Sequence, residues 1–153
     1  MQSWTAATDG IGLETATGLA QAGYAVTIIG RDGRRGAEAV KKINAAAGEG
    51  GAVFVRADLS SLTEVKELGA LLAAQGPLQL LVNNVGGTFV RRWETVDGQE
   101  GAFVLNQLSP LILTEALLDA LKAGKPSRII SITSAAMAFA ATGFDDVDAL
   151  GEY

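Results

Sequence analysis

The chain has 153 residues, 48% of them hydrophobic, which suits one domain built around one buried core. Its 12 basic and 17 acidic side chains leave a net charge of −5, which argues against a nucleic-acid footprint or a surface held to anionic membrane. With neither cysteine nor histidine, it excludes disulfides, thiolate and Ser-His catalysis, and the commonest metal-ligand sets, so no metal site is expected.

Only "MQSW" precedes the first glycine turn, so a strand there has four or five residues at most. Residues 11–22 carry Ile11, Leu19 and Ala22 on one helical side, and Gly23 follows as a stop. "YAVTIIG" (24–30) then reads as a strand and 33–47 as a helix, followed by the strand "GAVFVRA" (51–57) and a helix over 61–75. "LQLLVNN" (78–84) is the next strand. The longest helix spans 99–122, with Leu105, Leu108, Ile112, Ala116 and Leu117 at helical spacing, so one strongly apolar face is expected. "SRIISIT" (127–133) closes the series, and the small and acidic residues after Ser134 read as a loop with one turn of helix at most. Compact apolar strands alternating with helices imply an α/β fold with a doubly wound parallel sheet covered on both faces. A single partial domain over 1–153 is expected, shortened at both ends, with a brief first strand and no strand after the fifth. No apolar run approaches the ~20 residues of a membrane span, and the N-terminus lacks a signal-peptide pattern. A cytoplasmic chain with no membrane or nucleic-acid partner is therefore expected.

The chemistry concentrates where strands end. In "TAATDGIG" (5–12), Gly10 and Gly12 allow a sharp turn at a helix N-terminus, whose free N–H groups suit a phosphate; a plain tight turn is the alternative. The second strand ends in "GRD", at the distance where a βαβ unit reads the adenosine ribose. Arg31 stands there in place of an acid. A guanidinium suits a 2′-phosphate, with Arg34 and Arg35 as helpers, which favours NADP over NAD; a solvated basic turn is the alternative. Asp58 in "ADLSS" follows the third strand, and its other reading is a helix N-cap, a task that Ser60 or Ser61 suits better. "VNNVGG" brings two amides and two glycines to the same sheet edge. A P-loop is excluded because no Gly-Lys-Ser/Thr follows the glycines. A methyl-transfer domain fits poorly, since Arg31 takes the place of its acid.

"TAATDGIG", "GRD", "ADLSS", "VNNVG", "LNQLSPLILT" and "RIISITS" follow one another in the order found in the short-chain dehydrogenase/reductase family. "TVDGQEGAFVLNQLSPLILTEALLDAL" resembles its retinol-dehydrogenase and WW-domain-oxidoreductase-like branch. The likeness runs along the whole chain and corresponds to about the first half of a typical member. It implies a Rossmann-type domain and hydride exchange between NADP(H), or NAD(H), and an alcohol or carbonyl substrate. Thr8, Asp9, Gly10, Ile11 and Gly12 would line the pyrophosphate, and Asp58 with Leu59 would sit by the adenine. Asn84 and Gly86 would pass close to the cofactor ribose, with Asn84 steadying the central strand. Asn106 would hold a proton-relay water, and Ser134 would bind the substrate oxygen. Subunit pairing through 99–122 is also implied.

The departures matter as well. Ala6 replaces the family's first glycine, at about 1 kcal/mol if that position needs a positive φ. Val85 in "NNVG" adds bulk beside the cofactor. The family's acid/base is a Tyr-x-x-x-Lys pair, in which the ammonium lowers the tyrosine's pKa, and these 153 residues contain no such pair. Tyr153 is more readily an upstream loop tyrosine than the catalytic one. A non-catalytic dinucleotide-binding fragment or sensor is therefore the rival reading.

Overall fold

The computed structural model describes residues 2–6, as backbone, and 8–135. Tyr153 and nearly all of the loop expected after Ser134 lie outside the described residues.

Five strands, β1 (Gln2–Ala6), β2 (Ala25–Gly30), β3 (Gly51–Arg56), β4 (Leu80–Asn83) and β5 (Arg128–Ser131), form one sheet in the order β3-β2-β1-β4-β5. Every pair is parallel. The chain winds outward from β1 to β3, returns to the other side of β1 with β4, and winds outward again. This is the doubly wound sheet expected, with β1 at its centre.

The strand β2 is apolar on both faces because both are covered. Val26 and Ile28 of β2 join Ala16 and Ala20 of α1 (Gly10–Gln21) and Ala39 and Ile43 of α2 (Gly33–Ala46). Ile29, one residue on, turns to the opposite face. There it meets Val65, Leu68 and Leu72 of α3 (Leu62–Ala73), together with Leu113, Leu117 and Leu121. Period-two alternation within a continuous apolar run is what a central parallel strand requires. Local signals mark the helix starts. Asp9, Asp32 and Ser61 each accept a first-turn N–H, from Gly10, from Arg34 and Arg35, and from Glu64 respectively. Ser61 thus takes the capping task that was the alternative reading of Asp58.

The helix expected over 99–122 is interrupted. It runs as α4 (Gly101–Phe103), a π-helical turn (Val104–Leu108), α5 (Ser109–Ala116) and α6 (Leu118–Ala123). Pro110 has no N–H to give the carbonyl of Asn106, and Ser109 N–H reaches back to Val104 O, five residues away. The extra residue resets the apolar stripe. Its buried positions are Gly101, Val104, Ser109, Leu113, Leu117 and Leu121, with one step of five across the π turn. Of the expected stripe, Leu117 is completely buried, Leu105, Leu108 and Ile112 are half-buried and Ala116 is exposed, while Leu113 and Leu121 join Leu117 in the core with α3. Among the described residues, apolar side chains are exposed on this helix at Leu111 and Leu118 and on the edge strand β5 at Ile129 and Ile130.

Two outcomes are expected. Leu117 is completely buried in the α3-side core, so Leu117→Ala should lower unfolding free energy by about 3 kcal/mol in chemical denaturation. Asp32 is held below its ordinary value of 3.8, chiefly by accepting the Arg35 N–H and then the Arg34 N–H, with both guanidinium charges adding to the effect. A carboxyl depressed in the folded state stabilises fully above its unfolded value and loses that contribution as pH falls through the folded one. Asp32→Asn should therefore lower stability slightly in the neutral range and flatten the acid limb of a stability-versus-pH curve below about pH 4, where the two proteins converge.

Candidate functional site

Ligands of open parallel sheets bind beyond the carboxyl ends of the strands, where the winding direction reverses. Here that point lies between β1 and β4. After β1, Asp9 is extended at φ −161° and caps α1, and Gly10 turns the chain at φ +52°. Nothing lies within 4 Å of where a Cβ on Gly10 would stand, so the turn is open on that side. Gly12 is buried in α1 and Ile11 is 68% exposed. Ala6 belongs to β1, paired in register with Ile29, and an extended residue carries no positive-φ penalty. The conditional cost attached to its missing glycine therefore does not arise.

Two clefts open along this edge. The narrower, about 300 Å³, is walled by Thr8, Asp9, Gly30, Arg31, Asp58 and Leu59, with Val85 and Leu105 across from them. The turn, the end of β2 and the end of β3 thus meet in one cavity, although the residues are up to fifty positions apart. Gly10, Ile11 and Gly12 stand beside it, in the first turn of α1. Asp58 is partly spent on its own loop, its Oδ1 accepting the Ser60 N–H at 2.9 Å and hydroxyl at 2.7 Å. Arg31 faces the cleft, and its carbonyl accepts from Arg56 Nε at 3.1 Å. The two expected helpers are engaged elsewhere: Arg34 pairs with Glu38 at 3.1 Å, and Arg35 with Asp9 at 2.5 Å.

The wider cleft, about 760 Å³, lies between the ends of β4 and β5 and holds Asn84, Gly86, Asn106 and Ser134 together. Val85 borders both clefts and forms the shoulder between them. Asn106 lies inside the π-helical turn, and both ends of its amide bond Gly87. Its Oδ1 accepts the Gly87 N–H, and its Nδ2 donates to the Gly87 carbonyl, each at 2.9 Å. A Cβ on Gly86 would stand 2.9 Å from the same Oδ1, so this approach needs glycine.

Several contributors were not legible beforehand. Phe89 and Trp93, stacked edge to face at 5.6 Å, wall the narrower cleft from the loop after β4. The Trp93 Nε1 is buried with no hydrogen-bond partner. Asn83 ties β4 to α5 and β5 through Thr114 Oγ1 at 3.3 Å and Ser131 Oγ at 3.5 Å. Buried Ser109 donates its hydroxyl to the Leu59 carbonyl, fastening the long helix to the floor of the narrower cleft. A serine within an apolar stripe was the available signal for that last contact. Among the described residues no cluster of acidic side chains could hold a metal ion, and no helix is long and apolar enough to cross a membrane.

Residues 4–144 match the short chain dehydrogenase family. Polyprenol dehydrogenase of Mus musculus is 43% identical over 136 residues, covering 86% of this chain and 41% of that protein. Retinol dehydrogenase 13 of Homo sapiens is 37% identical over 148 residues, covering 94% of this chain and 44% of that protein. The chain therefore spans somewhat less than half the length of these relatives. Among solved structures, the Pseudomonas aeruginosa RhlG/NADP active-site complex superposes with a TM-score of 0.75 at 32% identity, covering 93% of this chain and 57% of that one.

The Asn106 clamp generates a stability prediction. Asn106→Ala and Gly86→Ala should each cost about 1 kcal/mol, because both undo the same pair of bonds to Gly87. Combined, they should cost clearly less than their sum in a double-mutant cycle; additive losses would show that the two positions act independently.

Proposed function

The chain belongs to the short-chain dehydrogenase family, and from that premise we propose that it binds a nicotinamide dinucleotide along its two clefts as part of an oxidoreductase acting on an alcohol or carbonyl. One observation carries this reading: a glycine turn, a basic residue and an Asp-Leu pair from three separate strand ends converge on one cavity that joins a second across Val85. The residues fit such a ligand. The turn is open at Gly10, Leu59 and Leu105 offer apolar walls for a flat ring, and Gly86 leaves room beside Asn106.

In this reading Arg31 faces the adenosine end and favours a 2′-phosphate, so NADP is preferred to NAD. Arg31 supplies the guanidinium for that contact, since Arg34 and Arg35 are already paired. The nicotinamide, when bound, supplies or accepts the hydride. Ser134, on the wider cleft, presents a hydroxyl to the substrate oxygen. Asn106 positions the Gly86-Gly87 segment and, with it, the floor on which the reacting groups rest. The relatives are named for polyprenol and retinol, which supports an apolar alcohol as the substrate class.

These 153 residues contain no Tyr-x-x-x-Lys, so the acid/base pair implied by the family is not among them. This favours, for this stretch taken alone, the second reading of cofactor binding without appreciable turnover. Equilibrium dialysis and tryptophan fluorescence should show NADPH binding, and Arg31→Ala should weaken NADPH roughly tenfold while leaving NADH nearly unchanged. Reduction of a panel of ketones by the purified chain would overturn the non-catalytic reading. Failure of both dinucleotides to bind at millimolar concentration would overturn the dinucleotide proposal itself.

A further inference from the structure

The glycine turn already holds an anion of its own. Asp9 Oδ1 accepts the Gly10 N–H at 2.8 Å, and that N–H is one of the unpaired donors with which a helix N-terminus attracts a phosphate. The other carboxylate oxygen, Oδ2, is held by Arg35 Nη2 at 2.5 Å, across twenty-six residues of sequence. Asp9 lines the narrower cleft; Arg35 does not, and approaches the carboxylate from the first turns of α2. The charged groups facing the cleft are therefore two carboxylates, Asp9 and Asp58, and one guanidinium, Arg31.

We infer that Asp9 is a resident competitor in the phosphate seat, that Arg35 screens it, and that this pair sets how tightly the chain holds a phosphorylated cofactor and how far it prefers NADPH to NADH. The inference rests on the dinucleotide reading above and gives it a specificity determinant. A carboxylate on the turn takes up one of its donors and repels any incoming phosphate, most of all a cofactor carrying the additional 2′-phosphate. Arg35 lowers that repulsion without touching the ligand. Its influence must therefore pass entirely through Asp9, which distinguishes it from a guanidinium that grips phosphate directly.

The test is a double-mutant cycle read by binding. NADPH, NADH and inorganic pyrophosphate are titrated calorimetrically against the wild-type chain, Asp9→Asn, Arg35→Ala and the double variant, at low and high salt. Asparagine caps a helix as well as aspartate does, so D9N removes the charge while keeping α1. Asp9→Ser is a second variant with the same capping ability, and both are checked by thermal unfolding. Removal of one like charge should tighten NADPH about fivefold at low salt, NADH and pyrophosphate by less, with the gain shrinking at high salt. Arg35→Ala should weaken NADPH severalfold in the wild-type background and have no effect once Asp9 is neutral. NADPH affinity unchanged in both D9N and D9S would overturn the inference while leaving the dinucleotide reading intact. An equal loss from Arg35→Ala in both backgrounds would also overturn it, by showing that Arg35 contacts the phosphate itself. Absence of dinucleotide binding in every variant would overturn the underlying reading and the inference together.

Discussion

The pairing of β1 on both of its sides is the constraint on which the rest depends. Five residues, Gln2–Ala6, meet Ala25 to Ile29 of β2 on one side and, through Ser3 to Thr5, Leu80 to Val82 of β4 on the other. A strand inside a sheet satisfies its backbone donors and acceptors in both directions, which an edge strand cannot do. This double pairing joins the two halves of the sheet and creates the point where the winding reverses. The glycine turn leaves from the end of this strand, and the two clefts lie on either side of the Val85 shoulder at the end of its neighbour. This double pairing therefore bears on the site more than the alanine at the last position of β1 does.

Around that centre the loops are tied to one another by contacts distant in sequence. Ser109 holds Leu59, Asn106 holds Gly87, and Asp97 Oδ2 accepts the first N–H of α3 from Leu62 at 2.8 Å. Two of these three ties leave the long helix at or beside its π-helical turn. A regular helix through 104–108 would bring Asn106 and Ser109 around at different angles, so the irregularity and the shape of the clefts are linked. Pro110 is the local cause, since it removes the N–H that would have continued the regular ladder. π turns commonly mark functional segments, and here the consequence is visible in what Asn106 reaches.

Electrostatics at this edge are finely divided. Of three arginines clustered between the end of β2 and the first turn of α2, two are paired with carboxylates and Arg31 faces the cavity. These ion pairs are largely exposed, so each adds little to stability, and their weight lies in where charge is left for a ligand. A basic sequence cluster is thus a poor guide to local potential until its partners are known.

The parallel α/β sheet, the starts of α1, α2 and α3 to within a residue, and the candidate residues at the strand ends were legible in the sequence, because each rests on local rules. Two-residue alternation, capping chemistry and glycine turns act over a few positions, and the order of the motifs carried the family. The stripe of the long helix was placed correctly at Leu117 and missed Val104, Ser109, Leu113 and Leu121, because a π turn changes the period by a single residue, which a regular spacing template cannot register. Phe89, Trp93, the ties of Asn83 to Thr114 and Ser131, and the Asp9–Arg35 pair were invisible for a different reason. Their importance comes from meeting partners many residues away, and only the assembled sheet brings α2 against the glycine turn and the loop after β4 to the cleft at the end of β3. Sequence determined which groups stand at the sheet edge; tertiary structure decided which of them are already satisfied by one another, because charge pairing and close approach depend on distance in space rather than along the chain.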